Sequence, residues 1–111
     1  MRWFASLGRA AAFARVRKRG RRAALDTLTA YGTASGAGLP RFGITVSSAV
    51  GGAVVRNLLR RRVQGALDAL TARAAPGTQV VLVLRPRAGA IAYGALAADV
   101  AEAVARVGGR P

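Results

Sequence analysis

Arg56, Asn57, Arg60 and Arg61 fall within six residues, and Arg62 follows at once. In a helix, residues three and four apart stand on one side, so these side chains make a ridge of guanidiniums with one amide. Planar guanidiniums suit bidentate contact with phosphate oxygens. Four arginines among seven residues repel one another on an isolated helix, and no Glu is interleaved to relieve them. The chemistry on offer is therefore phosphate binding rather than bond-making. The chain has no Cys and no His, which removes thiolate nucleophiles, imidazole bases and the usual zinc sites. Its only carboxylates are Asp26, Asp68, Asp99 and Glu102. Asp99 and Glu102 are three apart and can share a helix face, where acidic residues ordinarily just solvate it. No catalytic residue and no metal-ligand set is expected.

Charge points the same way. Eighteen basic residues face four acidic ones, a formal net charge of +14. Such an excess opposes compaction unless a polyanion is nearby, and nucleic acid is the natural one. Lys18 is the single lysine. The arginine bias suits phosphate contact and base stacking, although GC-rich coding produces the same bias.

The 111 residues suit one nucleic-acid-binding domain over 1–111, with 1–6 and 108–111 expected as frayed ends. A chain this size buries roughly two-thirds of its unfolded surface, enough for one core. The longest strongly apolar run, Val80 to Leu84, is far too short to cross a bilayer. Absence of Cys is compatible with a reducing compartment. A cytoplasmic protein with no membrane partner and no small-molecule substrate is expected. Residues 1–25 are Arg-rich and acid-free, like an organellar transit peptide, but they lack its serine enrichment and run unbroken into the folded pattern.

The elements that must position these residues follow from periodicity. Ser6 is placed to cap a first helix running to about Arg19, with Gly20 as its stop. On it Leu7, Phe13 and Val16 share one side, and Arg9, Arg15, Arg17, Lys18 and Arg19 crowd the rest. From Asp26 to Tyr31 the pattern alternates, Leu28 and Ala30 against Thr27, Thr29 and Tyr31. Gly32 to Pro40 is turn chemistry. Arg41 to Ser47 is the cleanest strand: Phe42, Ile44 and Val46 face one way, Arg41, Gly43, Thr45 and Ser47 the other. Strand parity then puts Phe13 and Tyr31 in one shallow groove with Thr27, Thr29 and Thr45.

Val50-Gly51-Gly52 breaks the strand and opens a helix over about Ala53–Arg73. Val55, Leu59, Val63, Ala66 and Leu70 form its apolar stripe. Arg56, Asn57, Arg60, Arg61, Gln64 and Asp68 lie opposite, and Arg62 falls at the apolar edge. Ala75-Pro76-Gly77 turns the chain. Gln79 to Arg85 reads as a strand covered on both faces. A last helix over Tyr93–Val107 turns Leu96, Val100, Val104 and Val107 inward, and Gly108 stops it. Helices and strands interspersed around one sheet make the class α+β, with a single two-layer core.

The string from Phe42 to Arg61 joins a strand, a glycine turn and a helix start carrying arginines. Backbone N–H groups and the positive dipole end gather at such a start. It lacks the Lys-Ser/Thr of a phosphate-binding P-loop and the third glycine of a dinucleotide fingerprint. As a whole it resembles the bacterial ribonuclease P protein subunit. That family's R-x-G-I-x-V-S strand is matched by Arg41, Gly43, Ile44, Val46 and Ser47. Its G-x-A-V-x-R-N turn is matched by Gly51, Ala53, Val54, Arg56 and Asn57. Arg60 and Arg61 stand at a basic pair, Phe13 and Val16 at an N-terminal F-x-x-V, and Tyr31 at a strand aromatic. The segments Val80 to Pro86 and Tyr93 to Leu96 resemble the closing part. The chain departs at Ser48 and Ala49, at Leu58 and at Gln64-Gly65, where the family carries charge, and at Arg17, where it has a second aromatic.

The resemblance implies a four-stranded sheet with elements in the order α-β-β-β-α-β-α or close to it. It also implies a left-handed β-α-β crossover, as in a ribosomal-protein domain. It implies the protein part of a ribonucleoprotein endoribonuclease that removes the 5′ leader of precursor tRNA, the hydrolysis being done by magnesium on the RNA. No cofactor would be bound by the protein itself. Arg56, Asn57, Arg60, Arg61, Gln64, Gly51, Gly52, Arg17 and Lys18 would then meet the catalytic RNA. Phe13, Tyr31, Thr45 and Ser47 would line the leader groove. The alternative is a structural rRNA-binding protein of ribosomal type with no role in tRNA cleavage.

Overall fold

The structure, a computed structural model, describes residues 2–34 and 36–109; Met1, Ser35, Arg110 and Pro111 lie outside the described residues. In chain order the elements are β1 (Ala5–Ser6), α1 (Ala10–Arg19), β2 (Arg21–Ala24), β3 (Leu28–Ala34), β4 (Arg41–Thr45), α2 (Ala53–Asp68), β5 (Thr78–Leu84) and α3 (Tyr93–Val107). A 3-10 turn at Pro86–Ala90 links the last two. The strands form one mixed sheet in the order β1-β4-β5-β3-β2. β5 is its middle, parallel to β4 and antiparallel to β3. The parallel β4–β5 pair is joined through α2, a β-α-β unit.

The apolar run of β5 explains its place. Val80, Leu82 and Leu84 enter the main core with Leu28, Ala30, Phe42 and Val46, under α2 and α3. Those helices contribute Leu59, Val63 and Leu67, and Leu96, Val100 and Val104. Val81 points to the other face, where it is fully buried in a smaller cluster with Leu7 and Val16. Burying each such aliphatic side chain is worth about 1.5–3 kcal/mol, so a strand apolar on both faces belongs in the centre.

The α+β class is as expected, and the sheet has one strand more than the four expected. The extra strand is β1, a two-residue segment that pairs in parallel with Arg41 and Phe42. Ser6 therefore caps nothing; α1 begins at Ala10, behind Arg9, with no side-chain cap. Nor are residues 2–6 frayed. Phe4 is buried, and the rings of Trp3, Phe4 and Phe42 meet edge-to-face with centroids 5.2–5.5 Å apart. Trp3 Nε1 donates to the Leu67 carbonyl at 2.8 Å, and Arg2 pairs with Asp68. At the other end Gly108 is buried, and its carbonyl accepts from Thr78 Oγ1 at 3.0 Å. α2 stops at Asp68 rather than Arg73, because the chain tightens into an i→i+3 bond from Leu70 N–H to Leu67 and turns inward at buried Ala74.

Candidate nucleic-acid interface

The second sheet face is crossed by α1. Gly20, at the helix end, comes against the backbone of Gly32 on β3, while Phe13 stands over Gly43 on β4. Gly32 is hemmed in on its other side by Val107 of α3, so neither glycine position leaves room for a Cβ. Sheet register sets three rows beneath the helix: Thr33–Gln79–Arg41, Tyr31–Val81–Gly43 and Thr29–Val83–Thr45. Phe13 and Tyr31 are half-buried against the same small cluster, outside the main core. The Arg17 guanidinium lies over the Tyr31 ring, 5.6 Å from its centroid. Beside it a shallow groove of about 440 Å³ is lined by Ala10, Phe13, Ala14, Arg17 and Thr45.

Phe13 and Thr45 line the groove; Tyr31, packed beside Phe13, and the buried Thr29 share that sheet face without lining it, and Thr27 and Ser47 fall elsewhere. Thr27 is fully buried and does not face the groove: its N–H and hydroxyl both donate to Asp99 Oδ2, at 3.0 and 2.6 Å. It precedes β3, in a turn closed by Leu25 N–H to the Leu28 carbonyl, so strand alternation does not reach it. Asp99 is correspondingly a structural acceptor and not a solvating charge. Ser47 lies past the end of β4, exposed, with its carbonyl accepting from Val50 N–H, and does not line the groove.

On α2 the core side is Leu59, Val63, Ala66 and Leu67. Val55, expected in the stripe, is 38% exposed, because the first turn of α2 overhangs the core. Gly52 precedes the helix and no side chain caps it, so amides at the helix start are left for water or a ligand. Arg56 is half-buried one turn in. Its Nε is buried and, among the described residues, has no hydrogen-bond partner. Asn57 Oδ1 accepts from Arg60 Nη1 at 3.3 Å, and Arg61 is exposed. Arg60 and Gln64 project to a second cleft, about 220 Å³, whose walls include Ser6, Phe13, Gly43 and Ile44. Phe13 thus borders both spaces, the cleft that holds Arg60 and the groove that holds Thr45.

None of the four carboxylates lines these clefts. Asp68, Asp26 and Glu102 pair with Arg2, Arg87 and Arg106, and Asp99 holds Thr27. The hydrogen bonds that Arg2 donates to Asp68 raise the Arg2 pKa above its ordinary value, keeping that wall residue charged. Arg17 and Lys18 are exposed on α1. The role of β1 in walling the second cleft was not visible in the sequence, since two residues carry no periodicity. Gly43 was the available signal, as a glycine within a strand marks a close approach.

A family model for ribonuclease P matches residues 1–108. The chain belongs to the ribonuclease P protein family. The ribonuclease P protein component of Clavibacter michiganensis subsp. michiganensis is 37% identical over 90 residues, 80% of each chain. That of Streptomyces avermitilis is 38% identical over 105 residues, covering 86% of this chain and 85% of its own. The solved ribonuclease P protein of Thermotoga maritima superposes with a TM-score of 0.78 at 20% identity, over 87% of this chain and 92% of that one. The Staphylococcus aureus protein gives 0.73 at 20% identity, over 92% and 90%. These two show the shared fold. A ribonuclease P protein is one part of an RNA–protein endoribonuclease, so an RNA partner and a place in tRNA 5′-end maturation come with the family. Membership goes against the alternative of a structural rRNA-binding protein.

Proposed function

We propose that the catalytic RNA lies along the α2 ridge and that the 5′ leader of precursor tRNA lies in the groove beside α1. Arg56, Asn57, Arg60, Arg61 and Gln64, with the amides after Gly51 and Gly52, take RNA phosphates, as do Arg17 and Lys18 on α1. Phe13 and Tyr31 offer rings for unpaired bases and Thr45 a hydroxyl within the groove; Ser47, past the end of β4, lies outside it. The observation that carries this reading is the position of Phe13, which borders both the cleft holding Arg60 and the groove holding Thr45. A strand leaving the stacking groove reaches the phosphate ridge without crossing acidic surface. On this reading no protein side chain performs chemistry, magnesium is held by the RNA, and the complex works in the cytoplasm.

The test is reconstitution with a ribonuclease P catalytic RNA and two precursor tRNAs, one with a long leader and one with a single leader nucleotide. Wild-type protein should stimulate cleavage of both at low magnesium. Phe13→Ala should raise KM for the long-leader substrate only, whereas Arg60→Ala should weaken assembly with the catalytic RNA. Equal effects of Phe13→Ala on both substrates would remove the leader from the groove.

A further inference from the structure

Because α1 lies across the middle of the sheet face, it divides that face in two. The flank with Thr45 holds the groove already described. The opposite flank, over the row Thr33–Gln79–Arg41, contains a separate cleft of about 460 Å³ lined by Arg15, Arg19, Arg21, Gly32, Thr33 and Ala34. Arg15 and Arg19 stand one turn apart on α1, rising about 6 Å along its axis. Arg21 opens β2 immediately after the helix ends. Arg15 Nη2 donates to Gln79 Oε1 at 2.9 Å, which fixes one guanidinium at the cleft wall. β3 runs two residues past its pairing with β2, so Thr33 and Ala34 have no strand partner on that side.

We propose that this cleft is a second RNA-binding surface, taking backbone phosphates of a double-helical segment. Three guanidiniums converge on it and no carboxylate lines it. A merely solvated basic face would intersperse Glu or Asp, and α1 and β2 have none. No aromatic ring lines it either, unlike the flank holding Phe13. Single strands are held by stacking on rings, whereas paired RNA presents phosphates and 2′-hydroxyls for recognition by shape. Arginines with a threonine hydroxyl and open backbone, lacking any stacking platform, fit the second kind of ligand. With both flanks occupied, α1 would lie between a paired and an unpaired segment of RNA. The inference rests on RNA binding by this family, not on the leader assignment of the other flank.

The experiment uses the full chain and two probes, a blunt RNA duplex of about 16 bp and an unstructured single strand of similar charge. Arg19→Gln/Arg21→Gln is compared with Arg87→Gln/Arg106→Gln, which removes the same charge on exposed side chains away from the cleft. For the duplex, the cleft variant should flatten the slope of log affinity against log salt by about 1.5, two phosphate contacts' worth. That corresponds to roughly an eightfold difference over a fourfold rise in salt. Single-strand binding should move no more than in the control pair. Equal slopes for the two double variants on the duplex, or equal losses on both probes, would overturn the proposal. Phe13→Ala on the single strand reads the other groove independently.

Discussion

The ring of Phe13 fills the space that any side chain at Gly43 would need: a Cβ there would come within 2.7 and 2.8 Å of two of its carbons. Gly43→Ala should therefore push the ring out of position, at an overpacking cost of about 1–3 kcal/mol. Single-strand RNA binding should weaken with it. Adding Phe13→Leu should restore much of the stability but not the binding, as read by urea unfolding and oligonucleotide titration. Undiminished stability of Gly43→Ala would show that the ring has another place to go.

Thr27 and Asp99 make the opposite kind of site, buried and purely structural. Thr27→Val keeps the volume but removes the 2.6 Å hydroxyl donor to the carboxylate. A loss of about 1.5–3 kcal/mol is expected for a bond to a charged acceptor, with RNA affinity intact once the protein is folded. Thermal unfolding and RNA titration check the two halves. Impaired binding at full stability would contradict the assignment.

Arg56→Ala should weaken binding to the catalytic RNA by about 1–3 kcal/mol with little change in melting temperature. Its Nε has no protein partner to lose among the described residues. A large drop in melting temperature with unchanged affinity would make Arg56 a packing residue instead.

Gln64 borders the cleft beside Arg60 and is exposed. Gln64→Arg should add a phosphate contact and steepen the salt slope by about 0.7–0.9. Stability should change by less than about 0.5 kcal/mol. Ala98→Arg, on exposed α3 surface, is the control for added charge alone. The same slope from both would mean that the α2 face is not the RNA ridge.

What could be read from the chain was whatever repeats. α3 was legible to the residue, because an apolar period of nearly four runs cleanly from Tyr93 into Gly108. β4 and β5 were legible through alternation and through a continuous apolar run. β2 was not, since Arg-Arg-Ala-Ala has no apolar side to betray a strand; it exists because β3 offers it an edge. β1 depends in the same way on β4. Thr27 defeated parity because a tight turn ends the alternation one residue too soon. The ridge on α2 followed from a helical wheel alone. The arginine cleft did not, as Arg19 and Arg21 converge only once α1 is laid across the sheet and the chain doubles back into β2.

The placement of β5 also bears on how this chain comes to be folded. The strand between β3 and β4 is supplied by residues 78–84, and α3 after it closes the core. A ribosome making this protein therefore releases both neighbours long before the strand that joins them, and loop closure of this length slows assembly. Until then β3 and β4 present unpaired edges on a polycation growing beside ribosomal RNA. Synthesis from N to C thus leaves two part-sheets, β1–β4 and β2–β3, unjoined until residues 78–84 are made, about 80 residues at roughly 5–20 per second. For those several seconds the nascent protein is a basic, open chain, with its affinity for RNA present before its selectivity.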